Sequence, residues 1–271
     1  MFLSYIVGIM ASIISYFAKN VALSTSEGVE VYEFTGNGAA FVQDCVQRFR
    51  EAYISDEMLS RIVVKSKKTT RKDAIERRLP KLTKNMAGDF GEILSYYLWT
   101  ETFASDANIC PIKIRWKENP DMPSHGVDVI LLKKVDKDYA SQDDKIYTIE
   151  SKVWSSPMKD GHSSLTDALD GAVKDKTERA AKTIPYLVTQ YERDGEFDLA
   201  DQVQRFGDPV NVPYIKVHYA IAIVESSQAS THIGNFDKAL RAANPNIPVY
   251  LLPIADLKSI YNNLFLNIPN N

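Results

Sequence analysis

Two apolar runs hold charge where charge is costly, and that combination limits what this chain can fold into. Val127-Asp128-Val129-Ile130-Leu131-Leu132 embeds one acid, and Ile146-Tyr147-Thr148-Ile149-Glu150-Ser151-Lys152-Val153 embeds an acid and a lysine two residues apart. Each run has the length and β-branched content of a strand. Side chains alternate across a strand, so Glu150 and Lys152 share one face, opposite Tyr147, Ile149 and Val153. Val127, Val129 and Leu131 are expected on one face of the first strand, with Asp128 on the other beside Ile130 and Leu132. If the two strands pair, Asp128, Glu150 and Lys152 meet in one small volume.

Two carboxylates suit a hard, oxygen-seeking divalent cation. Such an ion makes hydroxide available near neutral pH and offsets charge on a phosphorus atom, while a lysine beside it orients water or stabilises developing negative charge. The chemistry expected is phosphodiester hydrolysis with Mg²⁺, or Mn²⁺ as the alternative. An E-x-K triplet is also common by chance and often marks a solvated, cross-strand-paired face. The apolar residues on both faces of both strands argue against that plainer reading.

A third acid lies upstream. Met86 to Trp99 reads as a helix, with Phe90, Ile93, Leu94, Tyr97 and Leu98 at helical spacing. Glu92 projects from the other side, with Gly88, Ser95, Tyr96 and Trp99, and is the only charge in the middle turns. The bland alternative is a solvated glutamate. Gly-Asp-Phe-Gly-Glu92 on a helix, then His-Gly-Val-Asp128, then Glu150-Ser-Lys152, resembles the restriction-endonuclease-like PD-(D/E)xK nuclease core. More narrowly it resembles the HamA family, the nuclease component of the Hachiman anti-phage defence systems. The resemblance is clearest from Asn85 to Trp154 and weaker before Lys65. It implies Asp128 and Glu150 as metal ligands, Lys152 as the catalytic lysine and Glu92 as a supporting helix acid and ligand. Val127 stands where the superfamily name has proline. A further implication is a partner, the helicase HamB.

The fold class expected is α/β, a restriction-endonuclease-like core with a mixed central sheet flanked by helices, over residues 81–271. An N-terminal helical module, residues 1–80, precedes it and is a candidate docking surface for the helicase. Ala39 to Tyr53 supplies its best helix, Ile112 to Trp116 a first core strand, and Asn119 to Pro123 a turn. Ser164-Leu165-Thr166-Asp167 resembles a capping box opening a helix that covers the sheet. Tyr214 to Val224 reads as a central strand, Val249 to Leu252 as another, and Asp256 to Phe265 as a closing helix. Gly36-Asn37-Gly38 is a lone G-x-G and reads as a turn. No Walker A sequence is present, so an ATP-driven step requires another protein.

With only Cys45 and Cys110 and no C-x-x-C, neither a disulfide-stapled fold nor a cysteine zinc site is expected, and the composition suits a cytoplasmic enzyme. Between Lys65 and Lys84 nine basic residues (Lys65, Lys67, Lys68, Arg71, Lys72, Arg77, Arg78, Lys81 and Lys84) face two acids, a local charge of +7 in a chain of net charge −3. The remainder is thus at −10, which would confine a polyanion such as DNA to this segment. A solvated linker is the alternative. His125, three residues before Asp128, is a candidate phosphate contact or a turn histidine. Trp154, on the face of Lys152, is a candidate base-stacking platform or a packed tryptophan at the sheet end.

Phe2 to Ala18 carries no charge. Ser4, Gly8, Ser12 and Ser15 line one side of the helix it would form, which reads as a buried or interfacial helix without stable membrane association; a membrane-anchored sensor is the alternative. A third class is a non-catalytic nucleic-acid-binding or targeting subunit.

Overall fold

The computed structural model describes residues 12–25, 28–66, 68–123, 126–157 and 161–271. Its centre is one six-stranded sheet in the order β1 (Phe17–Lys19), β2 (Val29–Phe34), β6 (Val249–Ile254), β5 (Ile215–Glu225), β4 (Lys145–Trp154), β3 (Val129–Lys133). The four inner strands are parallel, and the two edge strands, β1 and β3, run antiparallel to their neighbours. Parallel strands need helical crossovers that cover both faces, which is why the inner strands are almost unbroken apolar runs. Ile221 and Ile223 of β5 face one core; Ala220, Ala222 and Val224 face another. This mixed sheet with helices on both faces is consistent with a restriction-endonuclease-like core.

One face is covered by α1 (Gly38–Tyr53) and α4 (Thr83–Glu101) with the C-terminal helix α10 (Leu257–Asn267); α2 (Asp56–Lys65) and α3 (Arg71–Glu76) lie between the first two in sequence. Their apolar residues merge with the odd-numbered residues of β3 and β4 in one core that includes Phe49, Phe90, Ile149 and Phe265. The other face carries α5 (Ser164–Lys174), α6 (Ala180–Asp194), α7 (Phe197–Gln204), α8 (Ala229–Gly234) and α9 (Lys238–Ala243). The first eighty residues, expected to be a helical module, therefore also supply β1 and β2, and β2 pairs with β6.

Several expectations need correction. Ile112 to Trp116 is not a strand: Lys113–Trp116 is a 3₁₀ turn. Ile109 makes a single bridge to Leu132, and Pro111, which has no N–H to donate, stops the ladder there. For Phe2 to Ala18, residues 1–11 lie outside the described residues. Beyond them the chain forms a 3₁₀ turn, Ile13–Tyr16, leading into β1, rather than a helix. Ile13 is fully buried, Ser12 Oγ and the Ile13 N–H both donate to Glu101, and Tyr16 and Phe17 pack on Phe34. Tertiary aromatic packing and strand pairing outweigh the weak helical preference of a short segment. Among the described residues, no helix is long and apolar enough to cross a membrane. Gly36-Asn37-Gly38 is a turn as expected, but it does follow a strand; Asn37 caps α1, its Oδ1 accepting from the Ala39 and Ala40 N–H groups.

The start of α5 is not closed by its own sequence. No side-chain capping bond forms; instead the Ser164 N–H donates to Nδ1 of His232, 3.1 Å away, and Ser163 Oγ donates to the His232 carbonyl. His232 is completely buried, and burial, with the nearby His162, holds its pKa down at about 4. An imidazole accepting at Nδ1 must be neutral, so its folded-state pKa lies below the unfolded value of about 6.5. Stability is then fully present above pH 6.5 and is lost as pH falls toward 4, by up to about 3 kcal/mol for this group. His232→Asn keeps an acceptor for Ser164 and removes the titration. Urea unfolding between pH 4.5 and 7.5 should give the variant a shallower acid decline than the parent chain, and parallel curves would refute the capping role.

Candidate functional site

β3 and β4 pair in the register Val129↔Ile149. Asp128, one residue before β3, therefore lies across from Glu150 at the end of the ladder. Its Oδ2 accepts a 3.0 Å hydrogen bond from the Ser151 N–H, which fixes the carboxylate at the strand junction. The approach is set by the preceding turn. Gly126 has φ +76°, in the left-handed region, and a Cβ there would fall 2.0 Å from Thr183 Oγ1. Thr183 accepts from the Val127 N–H at 3.2 Å and donates to the Arg179 carbonyl at 2.8 Å, so one buried hydroxyl ties the chain before Asp128 to α6. That bend turns Val127 into the core beneath Ile130 and Leu132, not onto the Val129 face expected from simple alternation. His125 lies outside the described residues.

Glu150 is 1% exposed, and both its oxygens are engaged. Lys152 Nζ bonds to Oε1, as expected of neighbours on one strand face, and Arg179 Nη1 bonds to Oε2 at 2.9 Å. The helix above gives way to it. A Cβ at Gly171 of α5 would lie 2.4 Å from the Glu150 carboxyl carbon, so only glycine leaves room at that position. Downstream, the helix passes through one π-turn, Asp175–Arg179, in which the Ala180 N–H reaches the Asp175 carbonyl five residues back. Such turns are uncommon and concentrate at functional sites. Asp175 is fully buried, and its Oδ1 lies 3.3 Å from the same Arg179 Nη1.

From the other face of the sheet, α4 presents Glu92. It lines a small cavity with Asp128, Lys113, Tyr96 and Val129. Three residues earlier on α4, buried Asp89 accepts from Tyr53 Oη at 2.7 Å and pairs with Lys117. Glu92 and Glu150 thus project from helix and strand on opposite faces, and Asp128 is the group that senses both.

The electrostatics follow from this crowding. Burial, then the charge of Asp128, raises Glu92 to about 8 against the pull of Lys113; burial, then Glu150 and Asp128, raises Asp175 to about 8. Burial and Asp128 push Glu150 up, while Lys152 and Arg179 oppose them. Burial works against the charge on Lys152, but Asp128 and Glu150 more than offset it, and the ammonium is held above its ordinary value. Lys113 is lowered by burial against the attraction of Glu92 and Asp128. Four carboxylates, Glu92, Asp128, Glu150 and Asp175, surround three cations, Lys113, Lys152 and Arg179. Perturbation of this kind concentrates at functional sites, although ion-pair networks also produce it.

Of the expected site residues, Asp128, Glu150 and Lys152 lie together, and Glu92 approaches Asp128 from the other face of the sheet. Sequence reading missed Asp175, Arg179 and Lys113. Gly171, Asp175, Arg179 and Thr183 recur every fourth residue, the signal of one helix face, and that spacing was available in the sequence. Lys113 was hidden by its assignment to a strand. Among the described residues, no three His, Cys, Asp or Glu side chains form a group that could hold a metal ion.

The proposed nucleic-acid contacts are placed less centrally. Lys65, Lys68, Arg71, Lys72, Arg77, Lys81 and Lys84 are exposed across α2, α3 and the first turn of α4. Arg78 is half-buried, donating to the Arg115 carbonyl at 3.4 Å; Lys67 lies outside the described residues. Trp154 is half-buried, its ring 4.3 Å from that of His162, so it is packed at the end of β4.

No curated protein matches this sequence. A HamA family model matches residues 15–268, nearly the whole chain and every residue of the site. The chain belongs to the HamA family and, through it, to anti-phage defence.

Proposed function

We propose that this chain is a metal-dependent nuclease, cutting DNA as the effector of a defence complex with a HamB-like helicase. The observation that carries the reading is the convergence of Glu92 and Glu150 on Asp128, with Lys152 bonded to Glu150 at the antiparallel β3–β4 edge of the mixed sheet. The donor chemistry suits a hard divalent cation, although among the described residues the acids do not stand close enough together as a group to hold one in this arrangement. All candidate donors are carboxylate oxygens, the cluster holds four acids, Asp128 included, against three cations, and one buried oxygen, Oδ2 of Asp175, makes no hydrogen bond. Asp128 and Glu150, with Glu92 as the supporting acid, are the residues that would have to draw together around Mg²⁺, which would supply hydroxide and charge neutralisation at phosphorus.

The chain's own groups have separate tasks. The Ser151 N–H orients Asp128. Asp128 and Glu150 hold Lys152 protonated, and its bond to Glu150 keeps it beside Asp128, where an ammonium would stabilise charge building on phosphate oxygens. Lys113 balances Glu92 within the protein. The exposed lysines and arginines of α2, α3 and early α4 attract the polyanionic backbone, and the acidic remainder disfavours other approaches.

A non-cutting, nucleic-acid-binding subunit is the second reading, favoured by the saturation of Glu150 by Lys152 and Arg179. Labelled DNA and RNA, incubated with the purified chain alone and with its helicase partner, in Mg²⁺ and in chelator, separate the two. The nuclease reading expects Mg²⁺-dependent DNA cleavage that the partner accelerates. Binding without cleavage in every arm would select the second.

A further inference from the structure

Away from the acidic cluster, at the carboxyl ends of β2 and β6, a groove of about 860 Å³ runs between α1 and α10. Its floor is apolar, with buried Val42 and Val46 from α1 and buried Ile260 from α10, and Phe34 adds a half-buried ring. Its walls are amides: Gln43 comes from α1, Asn263 and Asn267 from α10, all three exposed. Asn267 Nδ2 donates to the Asn263 carbonyl at 2.8 Å and Asn263 Nδ2 to Ser259 Oγ at 3.4 Å, so each amide keeps a second N–H and its oxygen for a further partner. Gly38 lets the first turn of α1 come down beside α10, where a Cβ would lie 3.1 Å from Ile260. Asp256, the one non-glycine residue with φ in the left-handed region among the described residues, alone brings a charged side chain to the lining. At Asn271 the groove meets the basic segment. Arg71 Nε donates to the Asn271 carbonyl at 3.1 Å, and the exposed Arg71 and Lys72 reach only exposed acids, Asp56 at 3.4 Å and Glu76 at 3.8 Å. Such solvated pairs are weak and give way to a phosphate at little cost.

We propose that this groove holds an unstacked nucleobase, with the adjoining phosphates carried by Arg71 and Lys72. The inference rests on the nucleic-acid part of the reading above and needs no metal. A base has flat faces of low polarity and an edge of donors and acceptors. The valine, isoleucine and phenylalanine surfaces receive the face, and the amides receive the edge, the pairing that Asn and Gln make with adenine. Asp256 repels phosphate from the groove itself and can accept from an exocyclic amino group. Phosphates are therefore left to the rim, where the cations are. A base inside a duplex has its faces and its pairing edge already occupied, so the groove selects single strands. The same base chemistry is offered by a strand and by a free nucleoside.

Fluorescence anisotropy of the full chain in EDTA, which removes cleavage from the measurement, tests this with three labelled probes: a short oligo(dA), an abasic strand of the same length, and a duplex. Asn263→Ala combined with Asn267→Ala should weaken oligo(dA) binding by about tenfold and leave the abasic strand and the duplex unchanged. Gln43→Ala, on the facing wall, should reproduce part of that loss. All three side chains are exposed, so the fold is not at stake. Arg71→Ala should weaken oligo(dA) and the abasic strand alike, because its contact is to phosphate. Displacement of oligo(dA) by millimolar adenosine identifies the free nucleoside as an occupant; no displacement, with the tenfold loss intact, identifies the strand. Equal oligo(dA) affinity in the parent chain and the double variant would overturn the proposal, as would an equal loss with the abasic strand. If the parent chain binds none of the three probes, the nucleic-acid reading and this inference fail together. If it binds all three and the amide variants change nothing, only this inference fails.

Discussion

Lys152→Ala is expected to lower Mg²⁺-dependent cleavage by about 10²–10³-fold while leaving the fold intact. The ammonium is bonded to Glu150 and coupled to Asp128, yet the side chain is 37% exposed, so it faces the open end of the site and is not part of the core. Removing it takes away the more exposed of the two cations bonded to Glu150 but leaves that acid its bond to Arg179. Glu150→Gln should be at least as damaging to cleavage, because an amide is a poor partner for a hard divalent cation. Its effect on stability should remain small: Lys152 and Arg179 are each about one-third exposed, and water can solvate them when the carboxylate is lost. Cleavage rates measured beside thermal unfolding separate these effects. Wild-type cleavage by Lys152→Ala would end the catalytic role of that lysine, and a parallel collapse of activity and folding would recast it as structural.

The largest effect on stability should come from Arg205→Met, far from that chemistry. Arg205 and Asp144 form an ion pair in which the acid is 0% and the base 7% exposed. The guanidinium also donates to the carbonyls of Ser141 at 2.6 Å, Val212 at 2.8 Å and Pro213 at 3.0 Å, and Asp144 accepts from the Val135 N–H at 2.8 Å and the Ser141 N–H at 3.1 Å. This network pins the β3–β4 connection to the start of β5, where the Ile215 N–H bonds the Asp144 carbonyl. Removing the arginine leaves a buried carboxylate and several carbonyls without their donor, a change worth about 3–5 kcal/mol. Denaturant unfolding should show a midpoint shift of that size, with cleavage per folded molecule nearly unchanged. A loss below about 1 kcal/mol would mean the pair is solvated like a surface bridge.

Much of the architecture was legible because burial imposes simple patterns. The apolar run at Tyr214–Val224 reads as a doubly covered strand, and β5 (Ile215–Glu225) lies at the middle of the sheet. The helix around Glu92 is apolar on two sides, and α4 is buried on two sides, with Phe90, Ile93, Ser95 and Trp99 all enclosed. Where expectations failed, a long-range contact had replaced a local preference. Lys113–Trp116 is a 3₁₀ turn because the sheet edge ends at Pro111, and Phe17–Lys19 is a strand because Tyr32–Phe34 lies alongside to pair with it. The cap of α5 comes from His232, 68 residues away from Ser164, which no local motif announces.

The sequence by itself determined which strands would be buried and which charges they would have to carry, because apolar periodicity and the cost of an isolated charge are properties of short segments. It thereby located Asp128, Glu150 and Lys152 as partners and placed Glu92 on a buried helix. Only the tertiary structure decided that Asp128 is the meeting point of two sheet faces, that a π-turn brings Asp175 and Arg179 onto Glu150, and that Gly171 leaves the space for that carboxylate. Those relations depend on how helices pack over a sheet, and packing is settled by contacts between residues distant in the chain.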